Sequence, residues 1–153
     1  LAFGADLPVI AVSNLTAMAQ AAFELHQAEN VAAAIDARMN EVYVSQVKRE
    51  KVRSEFGEFF QWSPVIEEQV CQPEKVLEQL SDLTAYRVGT GWAAYPQFKD
   101  SGLEGSDIIL PSAQYMLELA LTDYAQNKII SALEIEPVYL RNEVTWKKLP
   151  GRE

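Results

Sequence analysis

Val31–Tyr43, VAAAIDARMNEVY, sets an apolar strand, a charged turn and the start of a second strand side by side. The small and branched residues from Val31 to Ile35 read as a buried strand. Val42, Val44 and Val47 open a partner strand that alternates at first with Tyr43 and Ser45. The turn between them carries Asp36, Arg38, Asn40 and Glu41. Asn and Asp suit turns, because their side chains bond nearby backbone and tolerate left-handed geometry. An acid, a base and a second acid go beyond what a turn needs. Two readings stay open: a solvated turn with an exposed ion pair, which stabilises by about 0–1 kcal/mol, or a functional tip.

Working outward, Val9–Val12 reads as a short apolar strand. Ser13 or Asn14 caps a helix running to about Gln27, with Leu15, Met18, Ala19, Ala22 and Phe23 on its apolar face. Strand, helix and strand suggest a crossover unit. Alternating residues around Glu58–Val70 widen the hairpin into a mixed sheet, and the polar run Lys48–Glu58 between them reads as a solvated strand edge and loop. Pro73 suits the first turn of a helix whose buried face is Val76, Leu77 and Leu80. Tyr86–Gly89 return as a strand, Trp92–Phe98 form a short helix or turn, and Gly102 and Gly105 mark a loop before Asp107–Leu110. Pro111 and Ser112 open a last long helix through Met116–Ala125, with a wide apolar face expected to pack on the sheet. After Ala132 there is little periodicity. The pattern is an α/β domain: a mixed sheet with flanking helices.

The 153 residues suffice for one domain, and a chain of that length buries about 68–70% of its unfolded surface. Thirteen basic against 22 acidic residues give a net charge of −9, which argues against this chain alone making a broad phosphate-backbone contact. No direct transfer RNA binding is therefore expected. A single cysteine, Cys71, excludes an internal disulfide, and with a single histidine, His26, there is no zinc-type cluster. This suits a reducing cytoplasm, and no apolar run reaches the length of a membrane helix. Leu1–Gly4 read as the tail of a helix stopped by Gly4. The expectation is a carboxy-terminal portion whose preceding part is missing.

Candidate chemistry is sparse. Cys71 as a nucleophile would need a base and an orienting group, and free cysteine is more often a small buried hydrophobe. His26 at a helix end suits the helix dipole. Gly89, Thr90 and Gly91, directly after a strand, could bring backbone amides to a phosphate, although they lack the GxGxxG and P-loop patterns. Asp36 and Glu41 could pair as acid and base or hold magnesium, but no phosphate loop accompanies them, and Arg38 favours their charged forms. In the ending EPVYLRNEVTWKKLPGRE, Tyr139, Arg141 and Trp146 are residue types found at interfaces, and Lys147, Lys148 and Arg152 form a small basic tail. Tyr139 and Trp146 would otherwise close the domain's own core. Arg38 and Tyr43 likewise read as interface or as internal brace.

The ordered blocks LPVIAVSNLTAMAQ (7–20), AAIDARMNEVY (33–43), VGTGW (88–92), LPSA (110–113) and EPVYLRNEVTWKKLPGRE (136–153) resemble the TsaB (YeaZ) family nearly end to end. That resemblance implies the actin-like ATPase fold, two ribonuclease H-like lobes around a cleft, with residues 1–153 as one domain matching the carboxy-terminal lobe and the amino-terminal lobe missing. It also implies a non-catalytic scaffold in threonylcarbamoyladenosine formation on transfer RNA, with no cofactor of its own. Its partners would be the catalytic paralogue TsaD and the ATPase TsaE, and it would form a homodimer in isolation. The alternatives are a nucleotide-binding hydrolase or peptidase of the same superfamily, or a regulatory homodimer. Asp36, Arg38, Glu41, Tyr43, Tyr139 and Arg141 are the candidate interface or bracing residues.

Overall fold

The computed structural model describes residues 1–54, 57–80 and 82–141. Its centre is β1 (Asn30–Asp36), which pairs antiparallel with β2 (Val42–Ser54) and parallel with β4 (Tyr86–Val88). β3 (Gly57–Cys71) lies on the outer edge of β2, giving the sheet order β3-β2-β1-β4. The alanine-rich β1 is buried on both faces, which explains its unbroken apolar sequence. Val31 and Ala33 point to one core with Leu15, Met18, Ala22, Val47 and Val88. Ala32 and Ala34 point to the other, with Val42, Val44, Val76, Trp92 and Phe98.

Helices cover both faces. The first core lies under α2 (Asn14–His26), whose N-cap is Ser13: its hydroxyl accepts from the backbone N–H of Leu15 and Thr16 and donates to Glu68 on β3. The second lies under α3 (Pro73–Gln79), α4 (Gly91–Ala94) and α5 (Pro96–Asp100). Trp92 and Phe98 fill it with ring centroids 4.8 Å apart, and the Trp92 indole N–H donates to the Val88 carbonyl at 3.0 Å. α1 (Ala2–Ala5) precedes this body, and a 3-10 turn at Ala113–Tyr115 leads into α6 (Met116–Ala125).

Several sequence expectations need correction. Val9–Val12 is not a strand of the sheet: Val9 forms only an isolated bridge with Ile130, so no crossover passes through it. The first helix runs past Gly4 to Ala5 and is capped by Asp6 in left-handed geometry. Lys48–Glu58 is mainly strand, since β2 runs to Ser54 and β3 starts at Gly57, and together they extend the hairpin into an arm. The register shifts between Val44 and Val47. Arg49 is anchored on that arm with its guanidinium 3.7 Å from the Phe23 ring centroid and 3.8 Å from that of Phe60.

α6 departs most from expectation. Its apolar residues Leu117, Leu121 and Tyr124 are exposed, and none of its residues is fully buried. A polar link helps attach it: the buried Gln20 donates to Glu118 at 2.7 Å while its carbonyl oxygen accepts from the Trp62 indole at 2.9 Å, tying α2, β3 and α6 together.

Candidate functional site

β1 ends at Asp36, and the turn that follows is unusual. Arg38, Met39 and Asn40 have φ of 62°, 56° and 61°, three successive residues in the left-handed region. For residues bearing a Cβ this conformation costs about 1–2 kcal/mol apiece, so the surroundings must hold it. Within the turn, the Ala37 N–H donates to the Glu41 carbonyl at 2.9 Å and the Glu41 N–H to the Arg38 carbonyl at 3.0 Å. The Arg38 N–H donates to Asp36 Oδ1 at 2.9 Å.

Three groups from elsewhere in the chain converge on it. The Tyr95 hydroxyl donates to Asp36 Oδ1 at 2.7 Å, with the Glu41 carbonyl 3.1 Å away. The Asp36 N–H donates to Thr90 Oγ1 at 3.1 Å. Arg141 donates through Nη2 to the Glu41 carboxylate and, at 3.2 Å, to the Ala37 carbonyl. The consequences appear in the acidities. The hydrogen bond from Tyr95, joined by the Arg38 amide and the Arg38 charge, holds the Asp36 carboxyl below the usual aspartate range. Burial, together with the adjacent Asp36 carboxylate, pushes the Tyr95 phenol up to about 12.

The structure therefore brings Asp36, Glu41, Thr90 and Arg141 together. The Arg38 side chain is exposed, and it takes part through its amide and its charge. Tyr43 is half-buried against the α2 core, on the far side of β2 from Val42 and Val44. With Val12, Leu15, Ile35 and Tyr139 it lines a cavity of about 550 Å³. Tyr139 is 76% exposed and so does not close the core. Trp146, Lys147, Lys148 and Arg152 lie outside the described residues.

Gly89 and Gly91 have a packing reason to be glycine. A Cβ on Gly89 would lie 2.1 Å from the Ala34 carbonyl oxygen, and one on Gly91 would meet the Ala34 backbone at 3.0 Å. Their closeness lets β4 and α4 press onto β1 and deliver Thr90 to Asp36. Cys71 is buried in the α3-side core, where desolvation raises its thiol above the ordinary range. His26 sits at the other end of the sheet's architecture, stacked on Tyr86 with centroids 5.1 Å apart and 3.3 Å from Asp107, so the two are not a dyad. Among the described residues no group of three His, Cys, Asp or Glu side chains is placed to hold a metal ion. Sequence reasoning missed Tyr95, because nothing in WAAYP marks a hydroxyl that reaches a carboxylate 59 positions earlier.

The mixed sheet layered by helices, with a hairpin tip backed by a strand–turn–helix, defines an α/β unit of the actin-like ATPase type. A family model described as TsaD: tRNA N6-adenosine threonylcarbamoyltransferase matches residues 1–143, and the chain belongs to that family, on its TsaB (YeaZ) side. The tRNA threonylcarbamoyladenosine biosynthesis protein TsaB of Haemophilus influenzae is 76% identical over 153 residues, and that of Escherichia coli K12 is 44% identical over 158. Each alignment covers 100% of this chain and 65% of the relative, so the chain spans about two thirds of the length of these curated proteins. The crystal structure of a Pseudomonas aeruginosa protein with similarity to peptidase YEAZ superposes with a TM-score of 0.72 at 34% identity, covering 92% of this chain and 62% of that one. YeaZ from Pseudomonas aeruginosa gives 0.74 at 34% identity, covering 90% and 62%.

Proposed function

We propose that the chain is the carboxy-terminal lobe of a two-lobe, non-catalytic scaffold subunit in the cytoplasmic formation of threonylcarbamoyladenosine on transfer RNA, with TsaD and TsaE as its protein partners. The observation that carries this reading is the similarity, along the whole of this chain, to two thirds of two proteins named for that biosynthesis. The geometry agrees with it. The two carboxylates of the hairpin tip, Asp36 and Glu41, are engaged by Tyr95 and Arg141 beside a strained turn, and the thiol is buried with a raised pKa. A scaffold of this kind acts by binding one arrangement of its partner more tightly than others.

The apolar residues of α6, with Leu133, Val138 and Tyr139, offer surface for the other lobe. No helix of the described residues is long and apolar enough to cross a membrane. The test is solution mass by light scattering, for this chain and for a version extended to the relatives' length, each alone and mixed with TsaD. A complex formed by the extended version supports the scaffold reading, and the masses measured alone report the expected homodimer. Failure of the extended version to bind TsaD contradicts the partnership.

A further inference from the structure

The contact between Arg141 and the hairpin turn has the form of a device rather than an ordinary surface ion pair. The pair is 100 positions apart in sequence, and the Arg141 side chain is only 17% exposed. Its guanidinium reaches three successive parts of one turn: the Ala37 carbonyl, the Met39 sulfur at 3.7 Å and the Glu41 carboxylate. The residues it spans are the left-handed Arg38, Met39 and Asn40, which no glycine relieves. Yet the fit is incomplete, since among the described residues Arg141 Nε is buried without a hydrogen-bond partner. Backbone strain of this kind persists only where the surroundings hold it, and Arg141 is the side chain that spans the turn.

We propose that Arg141 and Glu41 form a releasable clasp, by which the segment Val138–Arg141 holds the 37–41 turn in its left-handed form. Lifting that segment from the body relaxes the turn. The Asp36–Tyr95 and Asp36–Thr90 contacts remain as the hinge on the strand side. A partner that engages the segment around Tyr139, which is exposed beside the clasp, thereby changes the shape of the hairpin tip. The coupling runs both ways: a ligand that fixes the tip tightens the segment.

Amide hydrogen exchange on the 153-residue chain tests this, because the Ala37 and Glu41 amides close the turn and report its opening. Arg141→Ala and Glu41→Gln should each speed exchange at these two amides on the order of tenfold, and the double variant no more than either alone. Val44 and Ala33 amides in the central strands should keep their protection, which shows that the variants fold. The decisive background is Met39→Gly with Asn40→Gly, since glycine adopts left-handed geometry without penalty. In it, Arg141→Ala should alter the turn amides by less than about threefold, because most of the strain it opposed is relieved, Arg38 alone keeping its left-handed Cβ. An equal effect of Arg141→Ala in both backgrounds would show an ordinary ion pair and overturn the clasp. Unchanged turn amides in Arg141→Ala, or loss of protection spread evenly over the strands, would overturn it as well.

Discussion

Replacing Gly89 by alanine separates a packing glycine from a ligand-binding one. In the folded chain the new Cβ would fall 2.1 Å from the Ala34 carbonyl oxygen and 2.9 Å from its carbonyl carbon, at a φ of +104°. Both neighbours are backbone atoms of the central strand, paired on each side by β2 and β4, so they cannot yield as a flexible side chain would. Backbone strain contributes about 1–3 kcal/mol, and forcing extra volume into a packed layer about 1–3 kcal/mol more. The sum of about 2–6 kcal/mol is a large part of the 5–15 kcal/mol typical of a domain. Gly102→Ala is the control, because it also has positive φ, 71°, but nothing lies within 4 Å of the added carbon. It should cost about 1 kcal/mol from strain alone. Urea unfolding followed by tryptophan fluorescence reads both, with the buried Trp92 beside the perturbed layer as reporter. Equal losses for the two variants would refute the packing argument.

Ser13→Ala removes the α2 cap and the contact to Glu68, and should lower stability by about 0.5–2 kcal/mol in the same unfolding assay. Arg49→Ala should cost about 1–2 kcal/mol by removing a cation from between two rings, with the loss abolished when Phe23 and Phe60 are both leucine. The Asp36–Tyr95 pair predicts opposite pH trends. The folded Asp36 carboxyl is depressed, so its contribution is present above the unfolded aspartate pKa and is lost as pH falls through the folded value. The folded Tyr95 phenol is raised from 10.0 to about 12, so its contribution is full below pH 10 and decays as pH climbs towards 12. In Tyr95→Phe the Asp36 midpoint, read by carboxyl NMR titration, should move up towards that of ordinary aspartate, and the alkaline loss should vanish.

The hairpin was legible in advance because strand period and turn composition act locally. VAAAI signals burial on both faces, and the run DARMNE signals a turn, so β1 and the start of β2 fell where the pattern put them. Ser13 as cap and Pro73 at a first helical turn were legible for the same reason. The arm of β2 and β3 was not, because its strands are stabilised by pairing with each other and by Arg49 between two rings, while Lys48–Glu58 has the composition of a loop. Periodicity placed the α6 helix but not the neighbour of its apolar face: the expected packing of that face on the sheet fails, and Leu117, Leu121 and Tyr124 meet solvent. At the site, Asp36 and Glu41 were singled out as charged residues of a turn, and Arg141 separately as an interface type in the chain's ending. Their joint purpose depends on Tyr95 and Thr90 arriving through the tertiary fold, and on glycines selected by the Ala34 backbone.

The scaffold claim is tested most directly by measuring threonylcarbamoyladenosine formation with TsaD, TsaE and the extended protein, comparing Asp36→Ala, Arg38→Ala and Cys71→Ala at rising subunit concentration. The account predicts that every variant that folds reaches the unsubstituted maximal rate once enough subunit is added, with only the concentration required for half-activation changing. A variant that binds TsaD with unchanged affinity, yet leaves the maximal rate near zero at saturation, would make that residue part of the chemistry and contradict the account.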